Sequence, residues 1–311
     1  GPVSGPPASD RGGVVPLMAF GSPQTGLAGF GGTLLTGASH EAPITNSLLH
    51  LDPETPDKTD IAGDLAKDWT LSEDGLTYTF KLHEGIVSHE GKPVGAEDVW
   101  LSLLAMLEPQ NLPDEYAELK GLLKTAPAGS YGSTFRTYFK ESRVVDNLTL
   151  EIEGNFPSPL LLTVIADNHI RIMPFYLFRE GRLPQWSNPE DMIGTGPFKL
   201  VEYEQDIKSV DERNPLYFKK GKPYVDGLIH YILADASAVI AAYKTEQVLM
   251  PDTGINNLSF EDTVKLAEEQ PDRLTNYVGG PLYQLGIAMN TEMAPGNIPE
   301  VRRAMMLALH R

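Results

Sequence analysis

The side chains that could do chemistry fall in a few short segments. His83-Glu84 and His89-Glu90 bring two imidazoles and two carboxylates close together in the chain, the ligand types that zinc takes. Their spacing is not H-E-x-x-H on one helical face, no third ligand lies nearby, and Gly85 interrupts the stretch. They read as decoration on a hairpin edge and the turn after it, so no metal is expected. Gly29-Phe30-Gly31-Gly32 has half of a dinucleotide-binding loop. It lacks the third glycine and a preceding strand. Gly194-Thr195-Gly196-Pro197 cannot cradle a phosphate at Pro197, which has no N–H. It reads as a turn before a strand. No G-x-S-x-G elbow is present. The absence of cysteine removes thiol catalysis, zinc thiolates, iron–sulfur clusters and disulfides. With 42 acidic against 25 basic residues and a net charge of −17, carboxylate pairs are too common to single out. No catalytic residue and no cofactor are expected, and the chain reads as a non-enzyme. The same charge repels phosphate backbones, which argues against nucleic acid.

The large amphipathic rings suggest binding instead. Trp69, Trp186, Tyr277 and Tyr283 are the types that line solute pockets, although Trp69 lies on the apolar face of a hairpin and reads better as core. Tyr277 and Tyr283 flank Val278-Gly279-Gly280-Pro281-Leu282. That stretch is either an ordinary Gly/Pro loop or a place where Gly279 and Gly280 absorb a hinge rotation.

The elements that must position these residues are legible in part. A chain of 311 residues makes one large or two medium domains, and it has no apolar run long enough to cross a membrane. Residues 1–30 are Gly/Pro-rich and read as a flexible arm. Gly1-Pro2 has the look of a protease scar, so a signal or lipid-anchor segment is expected in the precursor. Short strands are expected at Thr33–Thr36 and Asn46–Leu51. Trp69–Ser72 should pair antiparallel with Leu76–Leu82 around Glu73-Asp74-Gly75, burying Tyr78 and Phe80. A helix starts near Gly95, with Val99, Leu103, Met106 and Leu107 on one stripe. Residues 108–142 read as irregular. A second hairpin turns at Asp146-Asn147, and a short apolar helix follows Pro157-Ser158-Pro159. Strands are expected at Phe198–Tyr203, Ile207–Glu212, Ile229–Leu233, Val248–Met250 and Leu282–Met289. Helices are expected at Ala236–Gln247, after a Ser259 cap, and at Pro299–Arg311. The last helix has no stop signal, so the natural chain is expected to continue.

Ala62-Gly63-Asp64-Leu65-Ala66-Lys67-Asp68-Trp69 and Ser72-Glu73-Asp74-Gly75-Leu76-Thr77-Tyr78-Thr79-Phe80 resemble the signature of the family 5 extracellular solute-binding proteins of ABC importers. Leu82-His83-Glu84-Gly85, His89-Glu90-Gly91-Lys92-Pro93-Val94 and Ala96-Glu97-Asp98-Val99 continue it. Gly194-Thr195-Gly196-Pro197-Phe198, Arg213-Asn214-Pro215, Gly221-Lys222-Pro223-Tyr224-Val225-Asp226-Gly227 and Val301-Arg302-Arg303-Ala304 follow in the family's order. The resemblance implies an α/β fold of the periplasmic-binding-protein type II (cluster C), with an inserted subdomain and a truncated second lobe. Lobe I would combine residues 31–45 with 171–277, the insertion would cover 46–170, and lobe II would begin at 278. Ser39, His40, Tyr277, Gly279, Gly280 and Tyr283 would meet the ligand. The implied function is extracytoplasmic capture of a small solute, a peptide first, for delivery to an ABC permease. Any membrane contact would come through a lipid anchor. The alternative is a non-catalytic interaction or scaffold fragment with no solute site.

Overall fold

The structure is a computed structural model that describes residues 11–19, 22, 40–52, 60–125, 135–167, 170–184, 188–233, 235–249, 259–271 and 293–308. The expected strands at Thr33–Thr36 and Leu282–Met289 lie outside them. Contacts divide the chain into two compact units, Gly1–Asp262 and Thr263–Arg311.

In chain order the first unit begins with β1 (Val14–Ala19), β2 (Leu49–Leu51), β3 (Ile61–Gly63), β4 (Ala66–Leu71) and β5 (Thr77–Leu82). Helices α1 (Ala96–Leu107) and α2 (Ala117–Thr125) come next, then β6 (Phe139–Asp146), β7 (Thr149–Gly154), α3 (Leu160–Ile165) and α4 (Tyr176–Arg179). The strands β8 (Phe198–Glu204), β9 (Lys208–Arg213) and β10 (Gly227–Ile232) lead to α5 (Ala236–Lys244). Helix α6 (Phe260–Glu269) spans the boundary between the units, and α7 (Pro299–Ala308) belongs to the second.

Two four-stranded sheets organise the first unit. One has the order β4-β5-β7-β6, antiparallel throughout. Its first hairpin forms antiparallel about Glu73-Asp74-Gly75 as expected; Trp69 lies opposite Phe80, Ser72 N donates to Thr77 O so that Leu76 joins the turn, and Gly75 takes a left-handed φ of 74° there. Alternation puts Tyr78, Phe80, Leu82, Leu150 and Ile152 on one buried face, against Val99, Leu103 and Leu107 of α1 and Leu161 and Ile165 of α3. The opposite side of α1 is apolar too. Leu101, Leu104 and Ala105 pack on Leu112, Tyr116, Leu119 and Leu123. So α1 needs cover on two faces, and α2 supplies the second. Residues 108–142, expected to be irregular, therefore contain a helix and the start of β6. Asp98 fixes the start of α1: one carboxylate oxygen accepts from Gly95 N at 2.9 Å, the other from Phe175 N at 2.7 Å.

The other sheet has the order β1-β10-β9-β8. Strand β1 pairs parallel with β10, and the rest is antiparallel. This corrects the reading of residues 14–19 as part of a flexible arm. Met18 and Ala19 are buried in the sheet. Pro16 is tolerated because β1 is an edge strand, where a missing N–H breaks no ladder. Its carbonyl accepts from Leu249 N at 3.0 Å. Val248 and Leu249, expected in a strand, are not in one. Of the expected Asn46–Leu51 strand only Leu49–Leu51 forms, while Asn46 makes an isolated bridge to Ile172.

Helix α6 carries the capping box that its sequence suggests. Ser259 Oγ accepts from Asp262 N at 3.0 Å, and Ser259 N donates to the Asp262 carboxylate at 3.2 Å. In α7, Ala304 and Met305 are exposed and Val301 is half-buried, so that helix presents apolar side chains outward within the described residues.

Candidate functional site

Two chain crossings meet near Asn46. Ile172 N donates to Asn46 O at 2.9 Å, and the segment after β3 brings in Asp64. Asp64 Oδ2 accepts from Ser47 N at 2.8 Å. Its Oδ1 accepts from Asn46 Nδ2 at 2.8 Å and Lys219 Nζ at 2.6 Å. Thr195 Oγ1 donates to Asn46 Oδ1 at 2.9 Å. Asn46, Ser47, Asp64 and Thr195 are all buried, so this is a satisfied polar network inside the protein.

Beside it opens a cavity of about 680 Å³. Asn46, Ser47, His50 and Asp64 line one part, Asp167 and Arg171 another, and Tyr217, Lys219 and Lys222 a third. Leu51, Ala166 and Pro197 add apolar wall. The volume falls in the range of small-molecule sites. Burial pushes the Tyr217 hydroxyl up, and Asp64 adds to the shift, so it stays a donor. Burial lowers the pKa of His50, against the raising effect of Asp64. Arg171 is 7% exposed. Desolvation lowers its pKa, while Glu41, Asp64 and Asp167 oppose the shift.

The residues singled out in the sequence lie differently. Ser39, Tyr277, Gly279, Gly280 and Tyr283 fall outside the described residues. His40 is buried, with Nδ1 3.0 Å from Ser209 Oγ and its ring centroid 5.4 Å from that of His230, and it is not part of the cavity wall. Ser209, His230 and Asp211 have the residue types of a hydrolase triad, but the geometry does not. One imidazole nitrogen, His230 Nδ1, faces both Ser209 Oγ at 3.5 Å and Asp211 Oδ2 at 3.3 Å. A relay needs the two nitrogens on opposite partners, and all three side chains are buried from substrate.

His89 serves structure. Gly194 N donates to its Nδ1 at 3.2 Å, and its Nε2 lies 3.3 Å from Gly196 O. Burial brings its pKa down to about 4, against a raising contribution from the Gly196 carbonyl. Gly194 and Gly196 let the backbone at Ile44 pass at close range, since a Cβ on either would overlap Ile44. His83 packs on Phe218 with centroids 5.3 Å apart. Among the described residues no three His, Asp or Glu side chains group as a metal site, and no helix is long and apolar enough to cross a membrane.

The two sheets and their helices make up an α/β fold of the periplasmic-binding-protein type. The fold matches a periplasmic oligopeptide-binding protein from Borrelia burgdorferi with a TM-score of 0.69 at 21% identity, covering 94% of this chain and 56% of that one. It matches Haemophilus influenzae OppA in complex with RPPGFSPFR with a TM-score of 0.71 at 18% identity, covering 96% and 57%. Residues 60–311 match the sequence family of bacterial extracellular solute-binding proteins, family 5, middle part, and the chain belongs to that family. It is 28% identical to the dipeptide-binding protein of Escherichia coli (strain K12) over 94% of this chain and 53% of that protein. It is also 28% identical to heme-binding protein A of Haemophilus influenzae, over 89% and 50%. The chain spans about half the length of the curated relatives it matches. These relatives are named as binding proteins, not as enzymes.

Proposed function

We propose that this protein is the solute-capturing component of an ABC importer, working outside the cytoplasmic membrane, and that its solutes are peptides. The observation that carries this reading is the family match over residues 60–311, on a fold shared with peptide-binding proteins. The peptide itself is the finer part of the proposal, because relatives of equal identity are named for a dipeptide and for heme. Ser39, Tyr277, Gly279, Gly280 and Tyr283 are proposed to meet the solute; His40, buried against Ser209 and His230, is left out of the contact set. Gly279 and Gly280 would act as the hinge between a lobe made of 31–45 with 171–277, to which β1 of residues 14–19 also belongs and which carries the insertion 46–170, and a lobe that starts at 278. A ligand that touches both sides of such a hinge binds the closed form better, and so drives closure. The closed form is what a permease would receive, and a lipid anchor would hold the protein at the membrane.

Native mass spectrometry of the protein from its own source, released gently and then unfolded, identifies the solute. Isothermal titration with that solute then compares wild type with Tyr283→Ala. A co-purified peptide, bound at least about tenfold more weakly by the variant, is expected. Co-purification of a non-peptide refutes the peptide reading, and unchanged affinity in the variant refutes the proposed contact.

A further inference from the structure

The cavity beside Asn46 has an uneven supply of donors and acceptors. The chain carries a net charge of −17, yet this wall holds Arg171, Lys219 and Lys222 against Asp64 and Asp167. Asp64 is already engaged, by Lys219 at 2.6 Å, Asn46 at 2.8 Å and Ser47 N at 2.8 Å. Lys222 is exposed on the same wall and has no ion pair within 4 Å among the described residues.

Arg171 is the unusual member. A guanidinium has five N–H donors in a fixed fork, and this one is more than nine-tenths buried. Among the described residues its hydrogen bonding comes to one long contact, Nη1 to Ser47 Oγ at 3.4 Å, and Nε is buried with no acceptor. Glu41, Asp64 and Asp167 act on it electrostatically, but none forms an ion pair with it within 4 Å among the described residues. A buried guanidinium without a bidentate partner is unfavourable. A planar or tetrahedral oxyanion is the acceptor whose geometry fits the fork.

We propose that the cavity is a binding site for a small solute bearing an oxyanion, a carboxylate or a phosphate. Arg171 takes the anion, and the Tyr217 hydroxyl and Lys222 supply further donors. The apolar side of the solute lies on Leu51, Ala166 and Pro197. Arg171 lies one residue from the Asn46–Ile172 bridge, so an occupied site would also tie that crossing to the segment carrying Tyr217 and Lys222. This inference does not rest on peptide capture.

The test uses the full chain in chloride at constant ionic strength, followed through its arginine Nε resonances by 1H–15N NMR. Inorganic phosphate, succinate and uncharged succinamide are titrated separately. The Arg171 Nε resonance is expected to shift saturably with phosphate, with succinate or with both at millimolar concentration, and not with succinamide. Which anion saturates first distinguishes the phosphate from the carboxylate source. Lys222→Ala, at an exposed position, should weaken the response about threefold or more, and Arg171→Lys should abolish saturable binding measured by calorimetry. If neither anion moves the Arg171 resonance, if succinamide moves it equally, or if Arg171→Lys binds as wild type does, the proposal is wrong. A chain that binds these probes but no peptide would support this site and refute the peptide reading.

Discussion

Replacing Asp64 with alanine should destabilise the protein by about 3–5 kcal/mol, the range for removing one partner of a buried charged pair. Three donors lose their acceptor together: Ser47 N, Asn46 Nδ2 and Lys219 Nζ. Hydrogen bonds to a charged group contribute about 1.5–3 kcal/mol each. The Lys219 side chain is 22% exposed and can turn to water, so its share falls at the low end. Ser47 N cannot follow, because Ser47 is 2% exposed, and a stranded buried donor costs about 1–3 kcal/mol. Asn46 keeps the bond from Thr195 but loses its Asp64 acceptor. Asp64→Asn keeps an oxygen for Ser47 N and should cost less, about 1–2 kcal/mol. Urea unfolding of wild type, both variants, Lys219→Met and the Asp64→Ala/Lys219→Met double variant measures this. The double variant should fall short of the summed singles by about 1–2 kcal/mol, since the two side chains share one interaction. At about 2–4 °C per kcal/mol for a domain of this size, Asp64→Ala should lower Tm by roughly 6–20 °C. A loss below about 1 kcal/mol, or an asparagine variant as damaged as the alanine one, would show that Asp64 does not hold this junction.

Two further outcomes test the core and a buried histidine. Phe80→Ala removes a fully buried ring between the β4–β5 hairpin and α1 and should cost about 3–5 kcal/mol, read as a lower urea midpoint; a cost under about 1 kcal/mol would mean that the hairpin face is not core. His89 is held uncharged to about pH 4 by burial, below its unfolded value of about 6.5. Its contribution is therefore complete above pH 6.5 and is lost as pH falls from 6.5 towards 4, by about 2 kcal/mol at pH 5. Urea midpoints at pH 7 and pH 5 should separate less in His89→Gln than in wild type, and equal separations would count against the assignment.

The hairpins were legible in the sequence because alternation is a local property. Tyr78, Phe80 and Leu82, or Leu150 and Ile152, announce a buried face with no knowledge of what covers it. The Ser259 cap and the left-handed turn at Gly75 are local in the same way. The short signature blocks also sufficed for the family. Helix α2 and strand β1 were missed because their stability is not local. Helix α2 is a short segment containing Gly121, and it forms where the second apolar side of α1 needs a partner. Val14–Ala19 sits among glycines and prolines and becomes a strand because β10 offers it an edge. The sequence alone could not produce the cavity either. Asn46, Asp64, Arg171 and Lys219 are scattered over much of the chain, and no spacing rule joins them. Only the crossing at Asn46–Ile172 and the antiparallel pairing of β2 with β3, which brings Asp64 back beside Ser47, place a buried guanidinium near an engaged carboxylate. Periodicity carries information about which face is buried, whereas the meeting of distant polar groups depends on the backbone path between them, which is a property of the folded chain.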